Sequence, residues 1–333
     1  MSIDELKRIV KKRYGLDVRK MIEIKYEPES CLVYQVITED GNMYALKGLS
    51  IPNTKQMFII QTELLLKQKG IKLAEPMSDK CGNYSFTHET LCFSLYEWIR
   101  GSTYSFKRFD DLMILVETAS LLHSHSYHLN YPPSIKVHTY MTREKKYDQY
   151  MIQLLQWHEK HKHSTRLKEK EITKAVPYFL QIGMQASHYL KENGYRDLMK
   201  HSFKNQTLVH GDLHTNNIIV NHNNEIVLID FENVHYDLPS VDLNRLWRRY
   251  MKRHVFKASD FIKMLEKYQR IHPVSAQIEK LMMIDFLFPY NFEHMVRKQR
   301  FQQMSLEEVN HLIEQEKQKA KFILKDYFKS GIK

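Results

Sequence analysis

Cysteine is scarce in this chain. The three present, Cys31, Cys81 and Cys92, stand far apart without metal-ligand spacing, so neither a disulfide framework nor a zinc site is expected and the thiols are read as reduced. Long apolar runs are absent as well; none approaches the roughly 20 residues that cross a bilayer, and no membrane partner is expected. The opening MSIDELKR has no apolar h-region of a secretory signal, which sets the expectation of synthesis in a cytoplasm. Repeats and low-complexity tracts are missing too, which excludes solenoid and fibrous classes. What remains, 43% hydrophobic and 12% aromatic over 333 residues, is enough to bury a substantial globular core. The 18 histidines invite a metal reading, yet His158, His161 and His163 sit in a charged segment without acidic ligands at helical spacing, and no metal site is expected there.

The most informative stretch is HGDLHTNN over residues 210–217, followed by IDFE over residues 229–232. Asp212 and Asn217 stand five apart, the spacing of the catalytic loop H-R-D-x-x-x-x-N, and Asp230 takes the place of the aspartate in D-F-G. Phosphoryl transfer needs one carboxylate for the hydroxyl proton, here Asp212. It also needs a carboxamide and a second carboxylate to hold magnesium against nucleotide phosphates, here Asn217 and Asp230. The β-branched runs 218–220 and 226–229, separated by NHNNE, predict a tight hairpin that carries Asn217 and Asp230 to one end. The competing reading is a plain hairpin whose Asp and Asn serve turns and caps.

A cation for the phosphates should come from the first hundred residues. Two strand-like runs, 31–38 and 42–48, flank the turn signal Glu39, Asp40, Gly41, and Lys47 sits late in the second after Tyr-Ala-Leu, much as a phosphate-pairing lysine follows Val-Ala-Ile. Residues 54–70 predict an amphipathic helix with Glu63 inside, and a Lys47–Glu63 ion pair would hold the ammonium toward the phosphates. Taken singly, each would be an ordinary solvated residue; their order ahead of the Asp212 loop favours the site. The strand LCFSLYEWIRG over residues 91–101 then reads as a hinge, where backbone groups of Glu97, Trp98 and Ile99 would pair with an adenine edge. The Trp98 ring can equally be core, and no side-chain contact is assigned to it.

With these residues in place the chain resembles the aminoglycoside-phosphotransferase and choline-kinase group of protein-kinase-like enzymes, and within it the CotS-type spore coat proteins of endospore-forming bacteria. The likeness is carried by residues 33–49, 70–101, 210–217, 229–243 and 284–290 and so spans nearly the whole chain. The catalytic-loop and Asp-Phe-Glu motifs belong to the broad group, whereas YDLPSVDL (236–243) and FLFPY (286–290) point to the coat branch. The resemblance implies an α+β, protein-kinase-like two-lobed fold. Its small amino-terminal lobe (1–95) would be a five-stranded antiparallel sheet with one helix, joined through a hinge (96–101) to a larger, mainly helical carboxy-terminal lobe (102–333). It also implies ATP and Mg as cofactors, a small-molecule hydroxyl acceptor (a sugar, amino alcohol or aminoglycoside), other spore coat proteins as partners, and assembly into the endospore coat. His210 and Glu232 are implied as support of the site, Glu232 orienting a metal-bound water. Asp242 matches a buried aspartate that braces the catalytic loop, though it or Ser240 equally suits a helix N-terminus.

One departure from the group's pattern carries an alternative. Where small residues would cover the phosphates the chain has YEPES (26–30), with no glycine and two carboxylates that would repel a triphosphate by about 1 kcal/mol per pair in solvent-like dielectric. The alternative is a catalytically weak or inactive kinase-shaped structural component of the coat. For the acceptor, residues 104–128, 147–157 and a helix over 277–300 are the expected walls, with Asp285 and Glu293 placed to meet an amine. The net charge of +11, with Arg245, Arg248, Arg249, Lys252, Arg253 and Lys257 on one predicted helix and its exit, suits acidic partners or is a solvated face. Nucleic acid is not expected, because no known module is present and the aromatics fall in apolar runs.

Overall fold

A computed structural model describes residues 2–27, 30–138, 143–201 and 207–329. In chain order the elements are α1 (Ile3–Tyr14), β1 (Val18–Glu27), β2 (Cys31–Thr38), β3 (Met43–Leu49), α2 (Asn53–Gln68), β4 (Pro76–Met77), β5 (Phe86–His88), β6 (Leu91–Glu97), β7 (Gly101–Thr103), α3 (Phe109–His125), α4 (Arg143–His161), α5 (Leu167–Glu192), α6 (Tyr195–His201) and β8 (Thr207–Val209). The chain continues with β9 (Ile218–Asn221), β10 (Ile226–Leu228), β11 (His235–Asp237), α7 (Ser240–Met251), α8 (Ala258–Ile271), α9 (Ala276–Leu287), α10 (Tyr290–Arg297) and α11 (Leu306–Phe328). Two compact units result: Met1–Ser105 with His125–His138 and His210–His235, and Phe106–Ser124 with Thr139–Val209 and Tyr236–Lys333. The expected hinge, 96–101, lies inside the first unit.

The first unit is built on an antiparallel sheet in the order β1-β2-β3-β6-β4, with β5 paired to β6. The alternation of β2, in which every second side chain is fully buried, decides its faces. One face meets α1, with Leu6 and Val10 packed on Met21, Leu32, Tyr34, Val36, Leu46 and Phe93. Helix α1 was not foreseen in the sequence. It begins at Ser2, whose hydroxyl accepts the amide of Glu5, carries Asp4 and Glu5 in its first turn, and stops at Gly15, which has φ +76°. The amino-terminal part therefore carries two helices and six paired strands, one helix and one strand more than expected. The opposite face bears Lys47, which pairs in register with Val33 on β2 and Ser94 on β6, and Ala45, which pairs with Gln35 and Tyr96. A second sheet, β10-β9-β7, holds the predicted hairpin, with Ile218 opposite Leu228 and Val220 opposite Ile226. Gly101 is required there: a Cβ would lie 2.2 Å from the carbonyl oxygen of Val220.

The second unit is mainly helical. Its core joins α4, α5, α10 and α11 through Leu154, Ile172, Val176, Phe179, Phe292, Val296, Val309 and Ile313. The expected helix over 277–300 is two helices: Phe288 is extended at φ −57°, ψ 132°, and Pro289 precedes α10. A residue before proline is driven out of the α region by the ring, which ends α9. No helix among the described residues is long and apolar enough to cross a membrane.

Candidate active site

The hairpin β9–β10 and the loop before it set the acidic side of the site. Gly211 adopts φ +79°, and a Cβ there would sit 2.2 Å from the carbonyl oxygen of Asn233, so only glycine lets the loop approach the segment after Asp230. His210 is fully buried and locks the two segments: its Nε2 donates to the carbonyl of Ile229 at 3.0 Å and its Nδ1 accepts the amide of Asp212 at 3.3 Å. That pair of bonds requires the Nε2–H tautomer. The ring also lies 4.6 Å from that of Phe231. The side-chain amide of Asn217 donates to the carbonyl of Asp212 at 3.0 Å, and the amide of Ile229 donates to the carbonyl of Asn217 at 3.0 Å. The residue before Asp230 is thus bonded directly to the residue expected beside it on a metal. Asp230 itself takes the left-handed conformation, φ 69°, ψ 60°, an uncommon position for a side-chain-bearing residue and one that turns the chain sharply after β10. Asp212 keeps about a quarter of its side chain exposed and lies 3.5 Å from His214 Nε2.

Lys47 meets this group from β3. Its ammonium is paired with Asp230 Oδ1 and, at 3.2 Å, with Glu232 Oε2. Burial alone would lower the Lys47 pKa, but Asp230 and Glu232 outweigh it and hold the ammonium above its ordinary value. The expected Lys47–Glu63 pair is corrected: no ion pair joins them. Glu63, on α2 and 3% exposed, instead accepts a hydrogen bond from the Tyr96 hydroxyl at 3.1 Å. Burial pushes its carboxyl up to about 8, offset in part by the nearby Lys47 charge and the Tyr96 bond. A dry, protonated glutamate offers a lysine little, whereas two carboxylates about a quarter exposed offer it two charges.

Tyr96 was missed in the sequence, as was Ser94, which accepts a hydrogen bond from Gln56 of α2 at 2.8 Å. Both follow from the alternation of β6 once Lys47 is set opposite Ser94, but the sequence does not give that register. At the expected hinge the amide of Glu97 donates to the carbonyl of Glu75 at 3.0 Å and that of Trp98 to the carbonyl of Met43 at 3.3 Å. The amide of Ile99 has no such bond among the described residues. Of the glycine-free segment, Pro28 and Glu29 lie outside the described residues. Glu27 is tied to Lys25 at 3.1 Å and to the Ser30 hydroxyl at 3.2 Å, which holds its carboxyl below the usual range and offsets its charge.

The remaining candidates lie in the second unit. Asp242, fully buried in the first turn of α7, is bonded to His123 Nε2 at 3.0 Å, while His123 Nδ1 meets the Tyr268 hydroxyl at 2.9 Å. Asp285 and Glu293 do not face open space, which corrects their assignment to a substrate amine. Asp285 is paired with Arg143 and accepts the hydroxyls of Tyr147 at 2.5 Å and Tyr290 at 2.9 Å, and Arg143 also binds Asp237 at 2.6 Å. Glu293 is 2% exposed and paired with Arg297 one turn on. A carboxylate at such depth needs its charge partner inside the fold, and both have one.

The donor set of Asn217 and Asp230 consists of oxygen atoms, the hard ligands that magnesium takes, and the carboxamide nitrogen of Asn217 is held on the loop carbonyl so that its oxygen is the atom left to bind. The residues therefore fit the metal expected of them.

Three comparisons bear on this arrangement. The profile of the Phosphotransferase enzyme family matches residues 30–269. Spore coat protein S of Bacillus subtilis (strain 168) is 22% identical over 291 residues, which cover 81% of this chain and 78% of that protein. An aminoglycoside phosphotransferase from Alicyclobacillus acidocaldarius superposes with a TM-score of 0.71 at 13% identity, covering 95% of this chain and 93% of that one. Amicoumacin kinase, in a complex with AMP-PNP, Ca2+ and Ami, superposes with a TM-score of 0.63 at 16% identity, covering 96% and 93%. At these identities the structural likeness establishes the fold, which is of the protein-kinase-like, two-lobed type.

Proposed function

We propose, for a chain that belongs to the phosphotransferase enzyme family, that it transfers the γ-phosphoryl group of ATP, with Mg, to a hydroxyl group of a small molecule such as a sugar, an amino alcohol or an aminoglycoside. The observation that carries this reading is the meeting of Lys47 with Asp230 and Glu232, on a segment bonded through Ile229 to Asn217. An ammonium and a carboxylate 183 residues apart in the chain, with a second carboxylate beside them, have no structural need to share one spot.

When bound, the metal supplies charge neutralisation at the phosphate oxygens. Asn217 and Asp230 would hold it. Lys47 would leave Asp230 for the α and β phosphates, with Glu232 beside it as an anion. The Ile99 amide, with no backbone acceptor among the described residues, suits a ring nitrogen of adenine, and Val33 and Ala45 share the sheet face of Lys47 and would cover the base. Asp212 accepts or orients the proton of the attacking hydroxyl. His210 fixes the backbone that presents it.

The test is ATP turnover against a panel of hydroxylated amines and sugars. Asp212→Asn should lower the rate by roughly a hundredfold or more, the contribution of a positioned proton acceptor; equal rates in the two proteins would remove the assignment.

The likeness to spore coat protein S favours a second reading, a coat component that keeps the shape and works by binding other coat proteins. The glycine-free segment 26–30 supports it. A magnesium-dependent rise in melting temperature at millimolar ATP decides between the two: its absence would favour the coat reading, with assembly into the endospore coat as the protein's destination.

A further inference from the structure

The second unit concentrates positive charge where α7 ends beside α10 and the turn that follows it. Arg248, Arg249, Lys252 and Arg300 have no carboxylate within ion-pair distance among the described residues. The acids nearby are already engaged: Glu293 holds Arg297, and Glu316 holds Lys319 at 3.0 Å while accepting Asn291 at 2.9 Å. Arg248 is half-buried, and its one hydrogen bond among the described residues runs from Nε to the neutral Asn291 side chain at 2.8 Å, with the guanidinium 5.6 Å from the centre of the Tyr290 ring. These two contacts fix the direction of the fork; burial lowers the Arg248 pKa, and the charges of Glu316 and Glu293 offset that only in part. His294 stands among Arg248, Arg300, Arg297 and Lys252, and burial together with their charges pushes its imidazole down to about 3, so at neutral pH it is an uncharged hydrogen-bonding group. Lys252 is likewise lowered, first by burial and then by Arg249, Arg300 and Arg248.

Like charges gathered at a partly desolvated spot, with an oriented guanidinium, only partial compensation from Glu316 and Glu293 and no carboxylate in ion-pair contact among the described residues, cost stability unless something outside the chain balances them. A guanidinium fork matches phosphate as well as carboxylate, and several cations together call for more than one negative charge. We propose that this corner of the second unit is a binding site for a phosphate-type dianion or polyanion, held by Arg248, Lys252 and Arg300 with His294 as a neutral partner. The site is independent of the phosphotransferase reading: it uses none of the residues placed there.

The experiment is calorimetric titration of the full chain with inorganic pyrophosphate at about 0.15 M ionic strength, where diffuse surface attraction is largely screened. The variants Arg300→Gln and Lys252→Gln alter exposed side chains that the fold does not need, and Arg270→Gln, exposed on α8, is the control. The expected result is saturable binding that weakens roughly tenfold or more in each of the first two and stays within about twofold of wild type in the third. Binding unchanged in Arg300→Gln and Lys252→Gln, binding weakened equally by Arg270→Gln, or no saturable heat at all would each overturn the proposal. So would binding of poly-glutamate without binding of pyrophosphate, which would assign the patch to an acidic polypeptide.

Discussion

Glu63 is a carboxyl group in a dry place. Its pKa rises from 4.5 in water to about 8 in the fold, so between those values the unfolded chain releases a proton that the native chain keeps. Its contribution to stability is complete below about 4.5 and is lost as pH rises through about 8, in total on the order of a few kcal/mol. Glu63→Gln keeps a partner for the Tyr96 hydroxyl and removes the titration. Thermal melts at about pH 5 and about pH 8.5 should therefore show a smaller drop for the variant than for wild type; equal drops would show that Glu63 stays ionised. The same residue marks the limit of what the sequence told. The meeting of Lys47 with Asp230, and the bonding of the Asp212 and Asn217 loop to the segment before Asp230, were legible because the proposed phosphoryl-transfer chemistry calls for those residue types at a fixed spacing. The partner of Lys47 was not, because it depends on how dry each nearby carboxyl is, and burial is a property of packing. Asp285 and Glu293 were misread for the same reason: an acid on a helix looks alike in sequence whether it faces a cleft or an arginine.

Among the elements, the hairpin β9–β10 and the strands β2 and β3 were readable from β-branched runs broken by turn residues. Helix α1 was not, since its apolar stripe is sparse and only Leu6 and Val10 are fully buried. The break between α9 and α10 was overlooked although Pro289 announces it; the apolar run around it masks the change of direction. Helix α11 shows the opposite case, a boundary set by side-chain chemistry. The Ser305 hydroxyl accepts the amide of Glu308 at 3.0 Å, and the Glu308 carboxylate accepts the amide of Ser305 at 2.7 Å. Ser305→Ala should lower the stability of the protein by about 1 kcal/mol in urea unfolding, since one of these bonds is lost and the other has less reason to hold. No change would mean that packing against α5 and α9 alone fixes the start of the helix.

On the scale of the whole chain, a net charge of +11 was read correctly as a total, but only the structure shows which basic residues lie together without counter-ions. This distribution has an acid consequence. Burial, aided by the charge of His123, pushes His272 down to about 4, and His294 is pushed down to about 3. The unfolded chain takes up protons near 6.5 that the native chain refuses, so the stability tied to both groups is full above that value and falls as pH drops through about 4 and 3. His294→Gln should flatten part of the acid limb of a melting-temperature profile between about pH 6.5 and pH 4; an unaltered limb would show that His294 titrates normally. Chain order has a consequence in time. The first compact unit needs residues up to His235, yet the strands of its six-stranded sheet all lie before Ser105. At a synthesis rate of about 5–20 residues per second, the ribosome needs roughly 7–26 s to deliver the missing piece. Throughout that interval the nascent sheet stands without the hairpin β9–β10, so a stalled or prematurely released fragment ending near Ser105 is a natural client for chaperones.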